Sequence, residues 1–143
     1  MKPLTTALVL LLLLMGGGAG LPAHAQEQTP IRVETLDNGL TVIVQEDPAL
    51  PLVAVSVFYR VGSAHEPPGR SGFAHLFEHL MFTGTKRVPD GGFDEILEAN
   101  GGWSNASTAE DYTEYHQVGP AHLLPTMLWL EADRMEELGH AVT

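Results

Sequence analysis

Two histidines and one glutamate, in the segment from His75 to His79, have the types and the spacing of a metal centre. On a helix of 3.6 residues per turn, His75 and His79 lie about 40° apart around the axis and share one face, with Glu78 beside them. Neutral imidazoles are good zinc ligands, and a nearby carboxylate can activate a water that the metal holds. The pattern therefore favours a metal-binding site.

The residues around this motif predict a buried helix. They are nearly all apolar: Phe73, Ala74, Leu76, Phe77, Leu80, Met81 and Phe82. A helix that is apolar all round is typical of a protein core, where two imidazoles and a carboxylate are costly unless a partner satisfies them. A divalent metal would do so. The alternative is a histidine pair packed in the core with ordinary hydrogen-bond partners.

Residues 1–25 have the pattern of a secretory signal peptide. Lys2 provides a positive start, residues 4–15 form a hydrophobic run too short for a membrane span, and Ala23-His24-Ala25 is a small-x-small cleavage pattern. Cleavage after Ala25 predicts a periplasmic or secreted mature part, residues 26–143, without a stable membrane span. The alternative is an uncleaved membrane anchor.

The charge balance limits the classes of partner. The chain has 18 acidic and 7 basic residues and a net charge of −11, and residues 1–25 contain only one of these charges, at Lys2. An acidic chain argues against a nucleic-acid partner, which requires a basic face. The sequence contains no cysteine, so disulfides are excluded and any metal ligands must be histidines or carboxylates.

The first part of the mature chain reads as strands. Residues 33–37 and 40–45 flank Asn38-Gly39, the strongest short-range signal for a β-hairpin. The alternation within the second segment predicts that the face formed by Leu40, Val42 and Val44 is more buried than the opposite face. Residues 52–61 are apolar on both faces, which is typical of a central strand.

The helix that contains the histidines has signals at both ends. Residues 62–70 are rich in Gly and Pro and predict a loop. Ser71 can cap the helix that follows, and Gly84 can end it.

The remaining elements follow in the order helix, two strands, helix. Phe93, Ile96 and Leu97 have helical spacing before a stop at Asn100-Gly101, and residues 103–108 and 112–118 read as strands around a polar turn. The whole order predicts an α+β fold with an antiparallel or mixed sheet and helices packed on one face.

The last predicted helix covers residues 120–138. Its apolar face is predicted to be Leu124, Met127, Leu128, Leu130 and Met135. The acidic stretch from residue 131 to residue 137 is then interpreted as the solvated face of the same helix. Trp103 and Trp129 are interpreted as core residues.

The match of several motifs in order gives the chain a family resemblance. From residue 62 onward it resembles the N-terminal part of the M16 metallopeptidases, the family of pitrilysin, insulinase and mitochondrial processing peptidase, and H-x-x-E-H is the signature of such inverted zincins. The matching segments are Val61-Gly62-Ser63, Glu66, residues 72–82 with Gly84-Thr85, Asn100-Gly101-Gly102, Asn105-Ala106, Thr108 and Tyr115.

The resemblance implies roles for the motif residues. It implies that His75 and His79 bind zinc and that Glu78 is the general base. It also implies a third ligand, a glutamate on a helix near position 155, whereas the sequence ends at Thr143. The expectation is therefore an N-terminal fragment that is inactive alone, whose complete protein has further homologous domains or a partner subunit of the same family.

The resemblance also implies a peptide-binding strand. In the family, the strand that corresponds to Asn105, Ala106 and Thr108 lies beside the metal, and substrate joins it as an extra strand. The alternative is a plain edge strand whose Asn and Thr fill a turn and a pleat.

The sequence leaves two main hypotheses about the function. The leading hypothesis is the N-terminal part of an exported zinc metalloendopeptidase that hydrolyses peptide bonds. The alternative is a non-catalytic member of the family, a peptide-binding or partner subunit. A metal-binding domain unrelated to proteolysis would require the flanking agreement to be accidental.

Overall fold

The computed structural model describes residues 29–141, and side chains as far as residue 137. The predicted signal peptide, residues 1–25, lies outside the described residues and stays a prediction. The chain divides between Asp47 and Pro48 into two units. Among residues 29–141, no helix combines the length and the apolar character that crossing a membrane requires.

The first unit contains the predicted hairpin. Strands β1 (Arg32–Thr35) and β2 (Thr41–Val44) pair in antiparallel fashion. Between them, Gly39 has a φ of +85°, and the side chain of Asn38 accepts a hydrogen bond of 3.0 Å from the Leu40 N–H. Glycine adopts such left-handed backbone without steric cost, so the hairpin prediction is confirmed. Of the residues expected on its buried face, only Val42 is partly buried.

Three antiparallel strands form the sheet of the second unit. They are β3 (Leu52–Tyr59), β4 (Trp103–Thr108) and β5 (Thr113–Pro120), in the order β3-β5-β4. The prediction that residues 52–61 form a central strand is wrong for the described sheet, because β5 is central and β3 lies at an edge. The apolar residues on the outer face of β3, Leu52 and Phe58, remain more than half exposed.

Helices cover the other face of this sheet. They are α1 (Phe73–Leu80), α2 (Gly92–Glu98) and α3 (Leu124–Ala141). The core between the helices and the sheet contains Val88, Phe93, Leu97, Leu123, Met127 and Leu130, packed against Val53, Val55 and Ile96. The predicted α+β fold with helices on one face of the sheet is confirmed.

Helix α1 begins with a cap that comes from a distant residue. The N-cap is Gly72, with a φ of +95°, and not Ser71 as predicted. The Glu66 carboxylate accepts hydrogen bonds of 2.8 Å from the N–H groups of Gly72 and Ala74, two donors for which a helix start offers no internal partner. The backbone N–H of Ala74, with that of Gly72, lowers the pKa of Glu66 below its usual 4.5.

Helix α1 is less buried than its apolar sequence predicts. Within the helix only Ala74 is fully buried, and Met81 is buried directly after it. Phe73, Leu76 and Phe77 are 45–55% exposed. The prediction of a buried helix is therefore wrong for the described residues, because only one side of α1 contacts the sheet.

The end of α1 also differs from the prediction. The helix stops at Leu80 with Met81 as its C-cap, and the Leu80 carbonyl accepts hydrogen bonds from both the N–H and the hydroxyl of Thr83. Gly84 lies in the following turn, where its φ is +95°. A Cβ at Gly84 would lie 2.6 Å from the carbonyl oxygen of Val88, so this glycine is required by the turn.

Helix α3 buries charged residues and exposes apolar ones. Glu131, Asp133 and Arg134 are only 2–3% exposed, whereas Leu128 and Met135 are about half exposed. The interpretation of residues 131–137 as a solvated acidic face is therefore wrong. The buried residues of α3 include Met127, Leu130, Glu131 and Arg134, which follow the spacing i, i+3, i+4, i+7. This spacing places Glu131 and Arg134 on the same buried face as the apolar residues.

Buried Arg134 has partners from helices α2 and α3 and from strand β5. Its guanidinium pairs with Glu131, and that carboxylate also accepts a hydrogen bond from Gln117. The guanidinium carbon lies 4.7 Å from the ring centroid of Phe93 and 4.5 Å from that of Tyr115, within the range of a cation–π interaction. The core thus contains a charged group that aromatic faces and a carboxylate compensate.

The two tryptophans are not core residues in the described part of the chain. Trp103 is 48% exposed and Trp129 is 47% exposed. Trp103 packs edge-on against His116, with ring centroids 5.4 Å apart, on the sheet face opposite the helices. Trp129 follows the exposed Leu128 on α3. The interpretation of both as core is wrong because each lies on a face without a covering element here.

Replacing Arg134 by Met tests the buried charge. The Arg134→Met change would leave the Glu131 carboxylate buried without its cation, a loss expected to lower the free energy of unfolding by about 3–5 kcal/mol. Urea unfolding measures this value. The neighbouring Met135→Ala is the control, expected to change it by about 0.5 kcal/mol, since Met135 is 46% exposed. Equal effects would contradict the buried ion pair.

Replacing Glu66 by Gln tests the helix cap. Because the pKa of Glu66 is lowered by folding, its stabilising contribution is complete above pH 4.5 and is lost as the pH falls through the folded-state pKa. Glu66→Gln is expected to lower the melting temperature at neutral pH and to reduce its further fall in acid. Melting curves across this pH range, with the exposed Glu98→Gln as control, measure both effects. Identical profiles for Glu66→Gln and the unmodified protein would refute the cap.

Candidate metal centre

The two histidines of α1 direct their rings toward one point. The Nε2 atoms of His75 and His79 lie 3.1 Å apart, with ring centroids separated by 4.7 Å and ring planes inclined at 39°. One helical turn separates the residues, which places their side chains on the same face. Both are exposed, so the expected burial cost does not apply and the pair is open to solvent.

The separation of these nitrogens fits a shared zinc ion. Two nitrogens bound to one tetrahedral zinc at about 2.0–2.1 Å lie about 3.3 Å apart, close to the 3.1 Å between the two Nε2 atoms. The same distance suits an N–H···N hydrogen bond between the imidazoles. The donor set fits the metal, and the sequence-based alternative of a hydrogen-bonded histidine pair fits as well.

Glu78 lies between the two histidines in sequence, and with His75 it lines a cleft in the protein surface. It is half-buried, and its Oε2 accepts a hydrogen bond from the hydroxyl of Thr108. No other hydrogen bond to this carboxylate is present among residues 29–137, so Oε1 is free to take a proton. A half-buried carboxylate with one fixed and one free oxygen is suited to proton transfer.

A cleft of about 410 Å³ lies in front of Glu78 and His75. Its walls come from three places: the loop before α1, the helix α1 itself, and the end of β4. The lining residues are Ser63, Glu66, Ser71, Gly72, His75, Glu78, Ala106, Ser107 and Thr108. An open polar cleft beside the imidazole of His75 can accept an extended polar chain.

The predicted peptide-binding residues divide between the two faces of β4. Ala106 and Thr108 are half-buried and line the cleft. Asn105 lies on the opposite face of the strand, is exposed and does not line the cleft, although Ser107 on that face does. The side chain of Asn105 instead accepts a 2.8 Å hydrogen bond from the Ala106 N–H. Since β4 is an edge strand in the described sheet, a further strand has room to pair with it.

Sequence reasoning gave no role to Glu66, which lines the cleft and caps α1. Acidic residues are favourable at helix N-termini, and Glu66 is also one of the residues that carry the family resemblance, but neither signal assigns it to this helix. Glu66 lies six residues before Gly72, however, outside the spacing of a capping box. Only the path of the loop brings its carboxylate to the helix.

No third ligand accompanies the histidines in the described part of the chain. Among residues 29–141, no group of three or more His, Cys, Asp and Glu side chains is arranged to hold a metal ion. Glu131 is engaged by Arg134 and Gln117, and Glu136 by Arg87. The acidic residues of α3 therefore have other partners, and the expected third ligand near position 155 stays a prediction.

Tyr115, quoted for the family resemblance, is buried in β5 beneath α1. Burial raises the pKa of its phenol well above the ordinary value of 10.0, with Arg134 opposing this rise. The group is thus neutral at physiological pH, and its ring packs edge-on against Tyr59 at 5.5 Å. Tyr115 therefore contributes to the packing beneath α1 as a neutral side chain.

Comparisons with known proteins place these features in a family. Residues 41–138 match the model of the insulinase family, peptidase family M16. The zinc protease PqqE of Helicobacter pylori is 44% identical over 121 residues, which are 83% of this chain and 27% of that protein. The mitochondrial-processing peptidase subunit beta of Blastocladiella emersonii is 39% identical over 85 residues, 59% of this chain and 18% of that protein.

A solved structure agrees with the sequence comparisons. The crystal structure of a protease from Helicobacter pylori superposes with a TM-score of 0.75 at 39% identity, and the match covers 78% of this chain and 27% of that one. The chain thus spans about a quarter or less of the length of these relatives. The resemblance stated from the sequence is confirmed, and the chain belongs to the insulinase family of metallopeptidases, M16.

Proposed function

We propose that this chain carries the zinc-binding helix of an exported metalloendopeptidase that hydrolyses peptide bonds. The observation that carries the proposal is the convergence of two imidazole nitrogens, 3.1 Å apart, on the helix whose half-buried Glu78 lines a cleft together with one of them, His75. Membership of a metallopeptidase family supports it. His75 and His79 would hold the metal, and Glu78 would move the proton.

A zinc ion supplies Lewis acidity, lowering the pKa of a water and polarising a peptide carbonyl. Glu78 then acts through its free oxygen. It accepts a proton from the attacking water as the new C–O bond forms and the carbonyl π electrons move to oxygen. The same carboxyl group donates that proton to the amide nitrogen as the C–N bond breaks, and Glu78 is ionised again. The products are a new carboxyl end and a new amino end.

The substrate proposed for the cleft is an extended peptide. The end of β4 forms one wall of the cleft, and in the described sheet this strand has a free edge. Addition of a peptide strand to such an edge is a common form of peptide recognition. Ala106 and Thr108 lie on the cleft side, so these two of the predicted residues are best placed to lie near a bound peptide.

Export and partnership are part of the proposal. The secretory pattern of residues 1–25 supports a periplasmic or secreted location. One relative is named as the subunit beta of a mitochondrial-processing peptidase. This name supports a partner subunit of the same family. The net charge of −11 continues to argue against nucleic acid as a partner.

One observation favours a second function, a non-catalytic peptide-binding or partner subunit. The 3.1 Å between the two Nε2 atoms also suits a hydrogen bond between the imidazoles, and a histidine pair bonded in this way does not require a metal. A protein of this second kind would bind extended peptides at β4 without cleaving them.

Replacing His79 tests the metal ligands. His79→Ala is expected to weaken zinc binding by about 100-fold or more, since even the loss of a group that only supports a ligand costs 10–100-fold. Competition with a chromogenic chelator measures the affinity. The matched control is His122→Ala, because His122 is exposed and has no assigned ligand role. Equal zinc affinity in both variants would favour the hydrogen-bonded histidine pair over a metal site.

Replacing Glu78 tests catalysis in the protein that carries this chain. Glu78→Gln is expected to lower kcat for peptide cleavage by about 10²–10⁴-fold, since an amide cannot accept the water proton, while the zinc content stays unchanged. The control is Glu98→Gln, on the exposed end of α2. Retained cleavage would refute the role of Glu78. Peptide binding without cleavage by the unmodified protein would instead establish the non-catalytic function.

A further inference from the structure

The hydroxyl of Thr108 contacts the carboxylate that the proposed function makes the proton carrier. Thr108 is the last residue of β4, is half-buried, and donates a hydrogen bond to Oε2 of Glu78. We propose that Thr108 is a positioning residue that fixes the orientation of the Glu78 carboxylate for proton transfer. The inference rests on the proposed function and assigns Thr108 a task other than the substrate contact expected from the sequence.

A carboxylate on a flexible side chain gains from such a restraint. Glutamate has several rotatable bonds, and ordering its side chain has a cost in conformational entropy. The bond from Thr108 engages Oε2 and leaves Oε1 as the oxygen without a hydrogen bond among residues 29–137. Proton transfer requires the acceptor within hydrogen-bond reach in a defined direction. Thr108 supplies that direction from outside the helix.

The position of Thr108 is itself fixed by the neighbouring strand. Thr108 pairs with Thr113 in the antiparallel backbone ladder between β4 and β5. The turn between the two strands closes with a 2.8 Å hydrogen bond from the Ala109 N–H to the Tyr112 carbonyl. The end of β4 is therefore held by the neighbouring strand β5 and by the turn that follows it.

The loop formed by residues 61–66, the 61–66 loop, holds this turn at close range. The Ser63 N–H donates to the Ala109 carbonyl at 3.1 Å, and the Ala64 N–H donates to the Glu110 carbonyl at 2.7 Å. A Cβ at Gly62 would lie 2.4 Å from the Ala109 carbonyl oxygen. Only glycine permits this approach, so Gly62 sets the distance between the loop and the turn that follows Thr108.

The same loop also fixes the other partner of the hydrogen bond. Glu66 caps the first turn of α1, the helix that contains Glu78. The hydroxyl of Thr108 and the carboxylate of Glu78 are therefore both located relative to one short loop. Because the donor and the acceptor of this hydrogen bond are both held in place, the carboxylate is restrained even before a peptide binds.

The first test separates positioning from substrate contact. Thr108→Val keeps the shape of the side chain and removes the hydroxyl, and it is expected to lower kcat by about 10- to 100-fold, the range for a lost hydrogen bond to a charged group, with KM within about twofold. Thr108→Ser keeps a hydroxyl and is expected to restore most of kcat. A rise in KM at unchanged kcat would overturn the proposal in favour of a substrate contact.

The control for this test makes the same change one strand away. Thr113→Val removes a hydroxyl that bonds to Val61 and not to Glu78, so its effect on kcat is expected to be much smaller than that of Thr108→Val. Equal losses of kcat in both variants would show general loosening of the sheet end and would overturn the proposal. Failure of Thr108→Ser to recover kcat would do the same.

A second readout does not depend on activity. The three-bond couplings of the Thr108 side chain, measured by NMR, are expected to indicate one χ1 rotamer in the unmodified protein and rotamer averaging in Glu78→Ala. Couplings that are unchanged by Glu78→Ala would overturn the proposal. If the unmodified protein cleaves no peptide, the proposed function fails, and these couplings still decide whether Thr108 holds Glu78.

Discussion

The buried guanidinium of Arg134 is the interaction on which the packing of the second unit depends. It pairs with Glu131 in α3 and lies over the rings of Phe93 and Tyr115, so one side chain contacts a helix and a strand at once. A charge of this kind is tolerated in a core only when a counter-charge and neighbouring groups compensate it. The contacts of Arg134 therefore tie α2 and α3 to β5.

A second constraint turns this packing into a site. The 61–66 loop is bonded to the turn after β4 through the backbone of Ser63 and Ala64, and Glu66 caps α1. The strand end and the helix start are thus joined by a few residues without any covalent cross-link, as a chain without cysteine requires. The cleft in front of Glu78 is the space that remains between these two elements.

The chemistry of the site follows from which side of α1 is covered. Ala74 and Met81 face the sheet, which leaves both imidazoles on the open side and Glu78 at the boundary. An exposed imidazole pair is accessible to a metal and to a peptide, whereas a half-buried carboxylate beside them can be oriented by Thr108. Membership of a metallopeptidase family is consistent with these separate roles of the imidazoles and the carboxylate, and the chain matches 27% of the length of the zinc protease PqqE.

The sequence by itself determined the local features. The Asn38-Gly39 hairpin, the order of strands and helices, and the placement of His75 and His79 on one face follow from turn chemistry and residue periodicity, which act over a few neighbouring residues. The family resemblance followed from motifs in order, and it too needs no contacts between distant residues.

Tertiary structure alone decided which faces are covered. Glu131 and Arg134 read as solvated because their burial depends on Phe93, Tyr115 and Gln117, residues far away in the sequence. Glu66 as the cap and Thr108 as the partner of Glu78 were equally hidden. Local pattern reports what a residue can do at its own position, whereas burial and hydrogen bonding depend on which distant groups the fold brings to it.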